Sequence, residues 1–108
     1  MTMKIGIDLG VTKIEVICLK PNGEEVLRKR IPSPQGDYSK TIRAVSQIIL
    51  DIKKLVNNPI SVGIGIPGSI STLSGLVKNS NSTWLIGKPF EDDLTNIIGQ
   101  PIKLANDA

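Results

Sequence analysis

Histidine is absent from this chain of 108 residues. Its absence excludes histidine general acid–base chemistry and any His-ligated metal within the chain. Cysteine occurs once, as Cys18, so there is no internal disulfide and no Cys-rich zinc site. In its apolar surroundings Cys18 reads as a small buried hydrophobe, not a nucleophile. Aromatic residues make up 3% of the chain against 40% hydrophobic overall, so the core must be built from Ile, Leu and Val. No apolar run approaches the roughly 20 residues of a membrane span. The N-terminus lacks the pattern of a signal peptide, so a cytoplasmic location is expected and no membrane partner. The net charge is +3, but the basic residues are scattered apart from Arg28-Lys29-Arg30 and Lys53-Lys54. Without a basic stripe interleaved with aromatics, nucleic acid is not an expected partner. A solvated strand edge and helix face account for both runs. The length is that of one domain able to bury a core.

What is present is mostly strand pattern. Residues 4–9 place Ile5, Ile7 and Leu9 on one face, and residues 14–19 are apolar at nearly every position, as in a strand covered on both sides. Pro21-Asn22-Gly23-Glu24 makes a hairpin-type turn. The run from Glu25 to Ile31 is charged enough to belong at a sheet edge. After the loop Pro32-Ser33-Pro34-Gln35-Gly36, Asp37 is placed to cap a helix whose apolar stripe is Ile42, Val45, Ile48, Ile49, Ile52, Leu55 and Val56. Asn57-Asn58-Pro59 ends it. Residues 60–66 form a strand with Ile60, Val62, Ile64 and Ile66 on one face. Ser61, Gly63 and Gly65 on the other face leave room for a helix or ligand. Residues 67–89 lack a long periodic element and read as a functional loop region or short strands. A second helix is expected at about 90–98, with Pro89 near its start, Glu91-Asp92-Asp93 in its first turn and Gly99 beyond its end. Residues 101–105 make the last strand.

The order β-β-β-α-β-α-β implies an α/β fold: a mixed sheet with three antiparallel strands, then parallel crossovers. Chemistry gathers at two strand ends. Asp8 closes the first strand and is followed by a glycine turn, Thr12 and Lys13. A strand-end carboxylate beside backbone N–H donors suits Mg²⁺ and a polyphosphate. Asp107 follows the last strand, about a hundred residues later. Two such carboxylates are what a kinase cleft requires.

Four segments then carry a specific resemblance: Asp8-Leu9-Gly10-Val11-Thr12-Lys13, Gly63-Ile64-Gly65-Ile66-Pro67-Gly68-Ser69-Ile70, Val77-Lys78-Asn79-Ser80-Asn81-Ser82-Thr83-Trp84-Leu85, and Leu104-Ala105-Asn106-Asp107-Ala108. In this order they resemble the N-terminal lobe of a ROK-family (repressor, open reading frame, kinase) sugar kinase, in its fructokinase (mannofructokinase) branch. Val11 departs from the pattern, standing where the family's phosphate loop usually has a second glycine. A Cβ there restricts the turn or crowds a phosphate. Ala105 replaces a glutamate common in other branches and fits the fructokinase-like one.

The resemblance implies the ribonuclease H-like lobe of actin, hexokinases and ROK kinases. It implies ATP-dependent phosphorylation of a hexose, with fructose at its 6-hydroxyl as the expected substrate and glucose, mannose and N-acetyl amino sugars as neighbours. Asp8 would orient Mg²⁺ or its water, with Gly10, Thr12 and Lys13 serving the phosphates. Lys13 reads equally as a solvated strand lysine, and the Gly10 turn as an ordinary hairpin. Gly68 and Asn81 would contact the sugar. Trp84 would wall the sugar pocket or only pack the lobe. Asn106 would bind sugar hydroxyls, and Asp107 would accept the proton of the attacking hydroxyl, with or without capping a helix. Glu15 is taken as a structural or surface residue.

The chain stops at Ala108, before the next helix of the family. The expectation is therefore an N-terminal lobe spanning 1–108, inactive alone, with the C-terminal lobe, the adenosine pocket and any family zinc site absent. A homodimer is expected. Other functions stay in view: a ROK sugar-responsive repressor, against which the first strand's start near Met1 counts, and a ribonuclease H-like nuclease using Asp8 and Asp107 as metal ligands.

Overall fold

The alternation at the N-terminus becomes β1, Met3–Leu9, whose Met3, Ile5, Ile7 and Leu9 are all buried in the computed structural model. That structure describes residues 2–56, 59–66, 69–70, 74–78, 80 and 82–106. β2 (Lys13–Leu19) and β3 (Glu25–Pro32) follow in antiparallel succession. The chain then crosses through α1 (Tyr38–Leu55) to β4 (Ile60–Ile66), which lies parallel to β1. β5 (Ser69–Ile70) and β6 (Val77–Lys78) form a small separate ribbon, followed by a short 3₁₀ turn at Thr83–Leu85. α2 (Phe90–Ile98) leads to β7 (Lys103–Asn106), parallel to β4. The five-stranded order is β3-β2-β1-β4-β7. This is the expected ribonuclease H-like arrangement of an antiparallel half joined to parallel crossovers.

Local chemistry sets the helix limits. Asp37 has extended backbone, and its carboxylate accepts from the Lys40 N–H at 2.9 Å, satisfying one of the first-turn amides. Gly99 ends α2 at φ 74°, a left-handed conformation that costs glycine little. Phe90, Leu94 and Ile98, four residues apart, form the buried stripe of α2. The α1 stripe differs from expectation at its end. Leu55 is 77% exposed, although Val56 beside it still packs against the core, while Thr41 and Ser46 are buried in the interface.

Both helices pack on one face of the sheet, over Ile5, Ile7, Ile14, Val16, Val62 and Ile64. The expectation that β2 is covered on both sides is therefore corrected. Ile14, Val16 and Cys18 lie under the helices, whereas Glu15, Ile17 and Leu19 are only half-buried on the opposite face. Cys18 is buried as expected, and burial pushes its thiol pKa up, which keeps it unreactive. β3 is the sheet edge that its charges indicated. β7 starts at Lys103, later than residue 101.

Candidate functional site

β1, β4 and β7 are parallel, so their carboxyl ends meet at one edge of the sheet. In open α/β sheets that edge is where ligands bind. Asp8 stands there, aligned with Glu15 on β2 and Gly65 on β4, and Gly65 is aligned with Ala105 on β7. These residues share one row on the helix-free face. The row lines a shallow concavity of about 460 Å³ with Gly6, Ile17, Gly63 and Lys103. Two strand spacings, about 9–10 Å, separate Asp8 from the β7 end of the row. Asn106, beside Ile66, is the next residue along.

The turn after Asp8 is tied down by backbone geometry. The Gly10 N–H donates to the Lys13 carbonyl at 2.9 Å, closing the β1–β2 connection. Ser33 holds it from outside: its hydroxyl donates to the Gly10 carbonyl at 2.7 Å and its N–H to the Thr12 carbonyl at 2.9 Å. Among the described residues, no backbone hydrogen bond uses the N–H of Val11 or Thr12. The turn thus offers amide donors on a fixed frame, which is the requirement for a phosphate site. Thr12 and Lys13 are exposed beside it. Sequence reasoning passed over Ser33; the signal was a lone hydroxyl between Pro32 and Pro34.

Gly10 has no room for a side chain. A Cβ at this position would lie 2.7 Å from the Lys13 carbonyl oxygen, which is backbone and cannot swing away. Gly10→Ala is expected to destabilise the fold by about 1–3 kcal/mol through overpacking. A lowered urea midpoint at unchanged slope would show it, and an unshifted midpoint would refute it.

Glu15 proves to be engaged. Its carboxylate accepts from Arg30 at 2.6 and 3.1 Å and from Arg28, whose guanidinium also reaches Glu25. Hydrogen bonds from Arg30, then from Arg28, hold the Glu15 carboxyl below the usual carboxylate range. Two arginines match the charge of Glu15. Among the described residues, no group of three or more His, Cys, Asp or Glu could enclose a metal. Mg²⁺ needs no such cage, because it is commonly held by one or two carboxylates together with waters and substrate phosphates. Asp8 and the neighbouring turn fit that mode.

The segment carrying Trp84 is folded against α1. Val77 and the 87–88 stretch clip together, with the Val77 N–H donating to the Lys88 carbonyl and the Gly87 N–H to the Val77 carbonyl. The indole Nε1–H of Trp84 donates to Thr41 Oγ1 at 2.9 Å, and the half-buried ring packs on the core. Tyr38 donates to Asp93 at 2.6 Å, joining α1 to α2. Burial, helped by Asp93, raises the Tyr38 pKa and keeps the phenol a donor. The structure thus brings Asp8, Gly10, Thr12, Lys13 and the Asn106 backbone to one sheet end. Gly68, Asn81 and Asp107 lie outside the described residues.

Comparison with known proteins agrees with this architecture. The family model described as ROK family matches residues 4–108. An N-acetyl-D-glucosamine kinase of Yersinia enterocolitica is 33% identical over 106 residues, covering 98% of this chain and 35% of its own length. The chain therefore spans about a third of that relative. The crystal structure of an inorganic polyphosphate/ATP-glucomannokinase from Arthrobacter sp. strain KM superposes with a TM-score of 0.76 at 27% identity, over 100% of this chain and 45% of that one. A ROK family glucokinase from Streptomyces griseus, solved with glucose and AMPPNP, superposes with a TM-score of 0.80 at 21% identity, over 98% of this chain and 33% of that one. At that identity the likeness shows the fold, the actin/hexokinase-like one. The family match, running through the Asp8 turn and on to the end of β7, establishes that this chain belongs to the ROK family.

Proposed function

We propose that this chain is the N-terminal lobe of an ATP-dependent hexose kinase. The observation that carries the reading is the meeting of the Asp8–Lys13 turn and the Asn106 end of β7 at the carboxyl ends of parallel strands. In this reading the Thr12 amide and hydroxyl and Lys13 bind the phosphates, and Gly10, whose own N–H is spent on the Lys13 carbonyl rather than on a phosphate as expected, keeps the turn tight, while Asp8 holds Mg²⁺, directly or through water. When bound, Mg²⁺ would offset negative charge on the phosphates. Gly68, Asn81 and Asn106 face the sugar, Trp84 packs the lobe and holds that segment against α1, and Asp107 accepts the proton of the attacking hydroxyl. An ordinary carboxylate with a pKa of about 4 is sufficient, because in a largely dissociative transfer positioning counts for more than basicity.

Fructose, phosphorylated at its 6-hydroxyl, is the substrate favoured by the Asn81-Ser82-Thr83-Trp84 form of the sugar segment and by Ala105. The name of the Yersinia relative makes N-acetylglucosamine the competing choice. The test offers the full-length protein fructose, glucose, mannose and N-acetylglucosamine with MgATP and identifies products by ³¹P NMR. Fructose 6-phosphate as the main product supports the finer reading. Preference for N-acetylglucosamine would refute fructose but keep the hexose kinase. Hexose binding without turnover would point to the repressor alternative.

Residues 1–108 alone provide one wall of such a site. They are expected to show no hexose-dependent ADP release in a coupled assay, and measurable turnover by the purified chain would contradict the two-lobe reading. A cytoplasmic homodimer acting on neither membrane nor nucleic acid belongs to the same proposal. Among the described residues, no helix is long and apolar enough to cross a membrane.

A further inference from the structure

We infer that Thr41 is a positioning residue for the sugar-side segment, acting through Trp84; the inference rests on the hexose-kinase reading above. Thr41 is 1% exposed on the first turn of α1. Its hydroxyl donates to the Asp37 carbonyl at 2.8 Å, so its single proton is used within the helix. What it presents to the indole is a lone pair, and Trp84 Nε1–H, which can only donate, occupies it at 2.9 Å. The polarity of this bond is fixed at both ends. Asp37, which accepts from the Lys40 N–H, anchors the helix start to which the hydroxyl is bonded.

The rest of the segment is held in a way that makes this bond matter. Its two ends are clipped at Val77 with Gly87 and Lys88. Its middle is sunk into the core at Ser82 and Leu85, both 0% exposed. Asn81, the residue assigned to the sugar, lies in sequence between the Val77 clip and the buried Ser82, three positions before Trp84. The half-buried indole N–H needs an acceptor, and Thr41 on α1 supplies it. Here the α1 cap, the Thr41 hydroxyl and the indole form one continuous chain of bonds, which sets how far the segment stands from α1. Thr41 therefore governs hexose affinity without touching the hexose.

The test uses the full-length protein and whichever of fructose, glucose, mannose and N-acetylglucosamine it turns over fastest. Hexose and ATP KM are measured separately, with hexose Kd by calorimetry. Trp84→Phe removes the N–H together with part of the indole ring and leaves the Thr41–Asp37 bond intact, while Thr41→Val removes the acceptor at nearly constant shape, so the two variants share only the lost bond. Each variant is expected to raise hexose KM and Kd by about 3- to 10-fold, the size of one lost hydrogen bond. ATP KM should stay within about twofold, the double variant should be no worse than the weaker single, and Thr41→Ser should restore wild-type values. Unchanged hexose Kd in Trp84→Phe, or an equal rise in ATP KM, would overturn the role of Thr41. Loss of turnover in the unsubstituted protein with hexose binding intact would overturn the kinase reading alone, since the Kd comparison still decides on Thr41. Absence of hexose binding would overturn both.

Discussion

Asp107→Asn in the full-length enzyme is expected to lower turnover by on the order of a hundredfold to ten-thousandfold, the range for losing a general base. The substitution keeps the size and shape of the side chain and removes its negative charge and proton acceptance. Hydrogen bonding to the hexose partly survives, so hexose Kd should change by about tenfold or less, roughly 1.4 kcal/mol. The split between kcat and Kd is the point of the experiment. A residue that only capped the following helix would instead cost stability, about 1 kcal/mol, and leave kcat nearly intact. Steady-state kinetics beside a thermal melt separate the two roles, and an unchanged kcat would remove Asp107 from the chemistry.

Asp8→Asn should act at the other end of the site. Asp8 closes β1 next to the tethered Gly10–Lys13 turn, and its cross-strand neighbour Glu15 is already matched by Arg28 and Arg30. Removing the Asp8 charge would take away the carboxylate that the proposed function assigns to Mg²⁺. Loss of a group holding a metal through water typically costs about 10- to 100-fold in metal affinity or activity. The KM for MgATP should rise by that amount, with partial recovery at high Mg²⁺, while hexose Kd stays unchanged. A rise in hexose Kd with MgATP unaffected would reverse the assignment of the two ends. The two aspartates are thus expected to give opposite kinetic signatures.

The sheet end that carries the candidate site was readable from residue pattern because it depends on strand order. Once β1, β4 and β7 are taken as parallel, their carboxyl ends coincide, which puts the Asp8 and Asn106 backbones at the same end of the sheet. Asp37 and Gly99 marked helix limits for reasons internal to the backbone, and the structure placed them there. What could not be read were contacts between elements distant in sequence. Ser33 meets Gly10 across 23 positions and Thr41 meets Trp84 across 43. An apolar stripe count also ignores a threonine whose value lies in its hydroxyl. Glu15 was read as a structural or surface residue, but its partners could not be named because Arg28 and Arg30 become its neighbours only through the β2–β3 register. Leu55 was misread because helical periodicity alone cannot tell a side chain at the margin of the stripe from one under it: Leu55 is exposed although Val56 packs against the core.

The most direct measurement of the central claim is hexose-dependent ADP release by the full-length protein with saturating MgATP, before and after Asp107→Asn. The account predicts turnover in the range of about 1–100 s⁻¹ usual for kinases, carried by fructose or a neighbouring hexose, and nearly abolished by the substitution while hexose binding persists. No hexose-dependent ADP release from the unsubstituted protein with any of fructose, glucose, mannose or N-acetylglucosamine would contradict it.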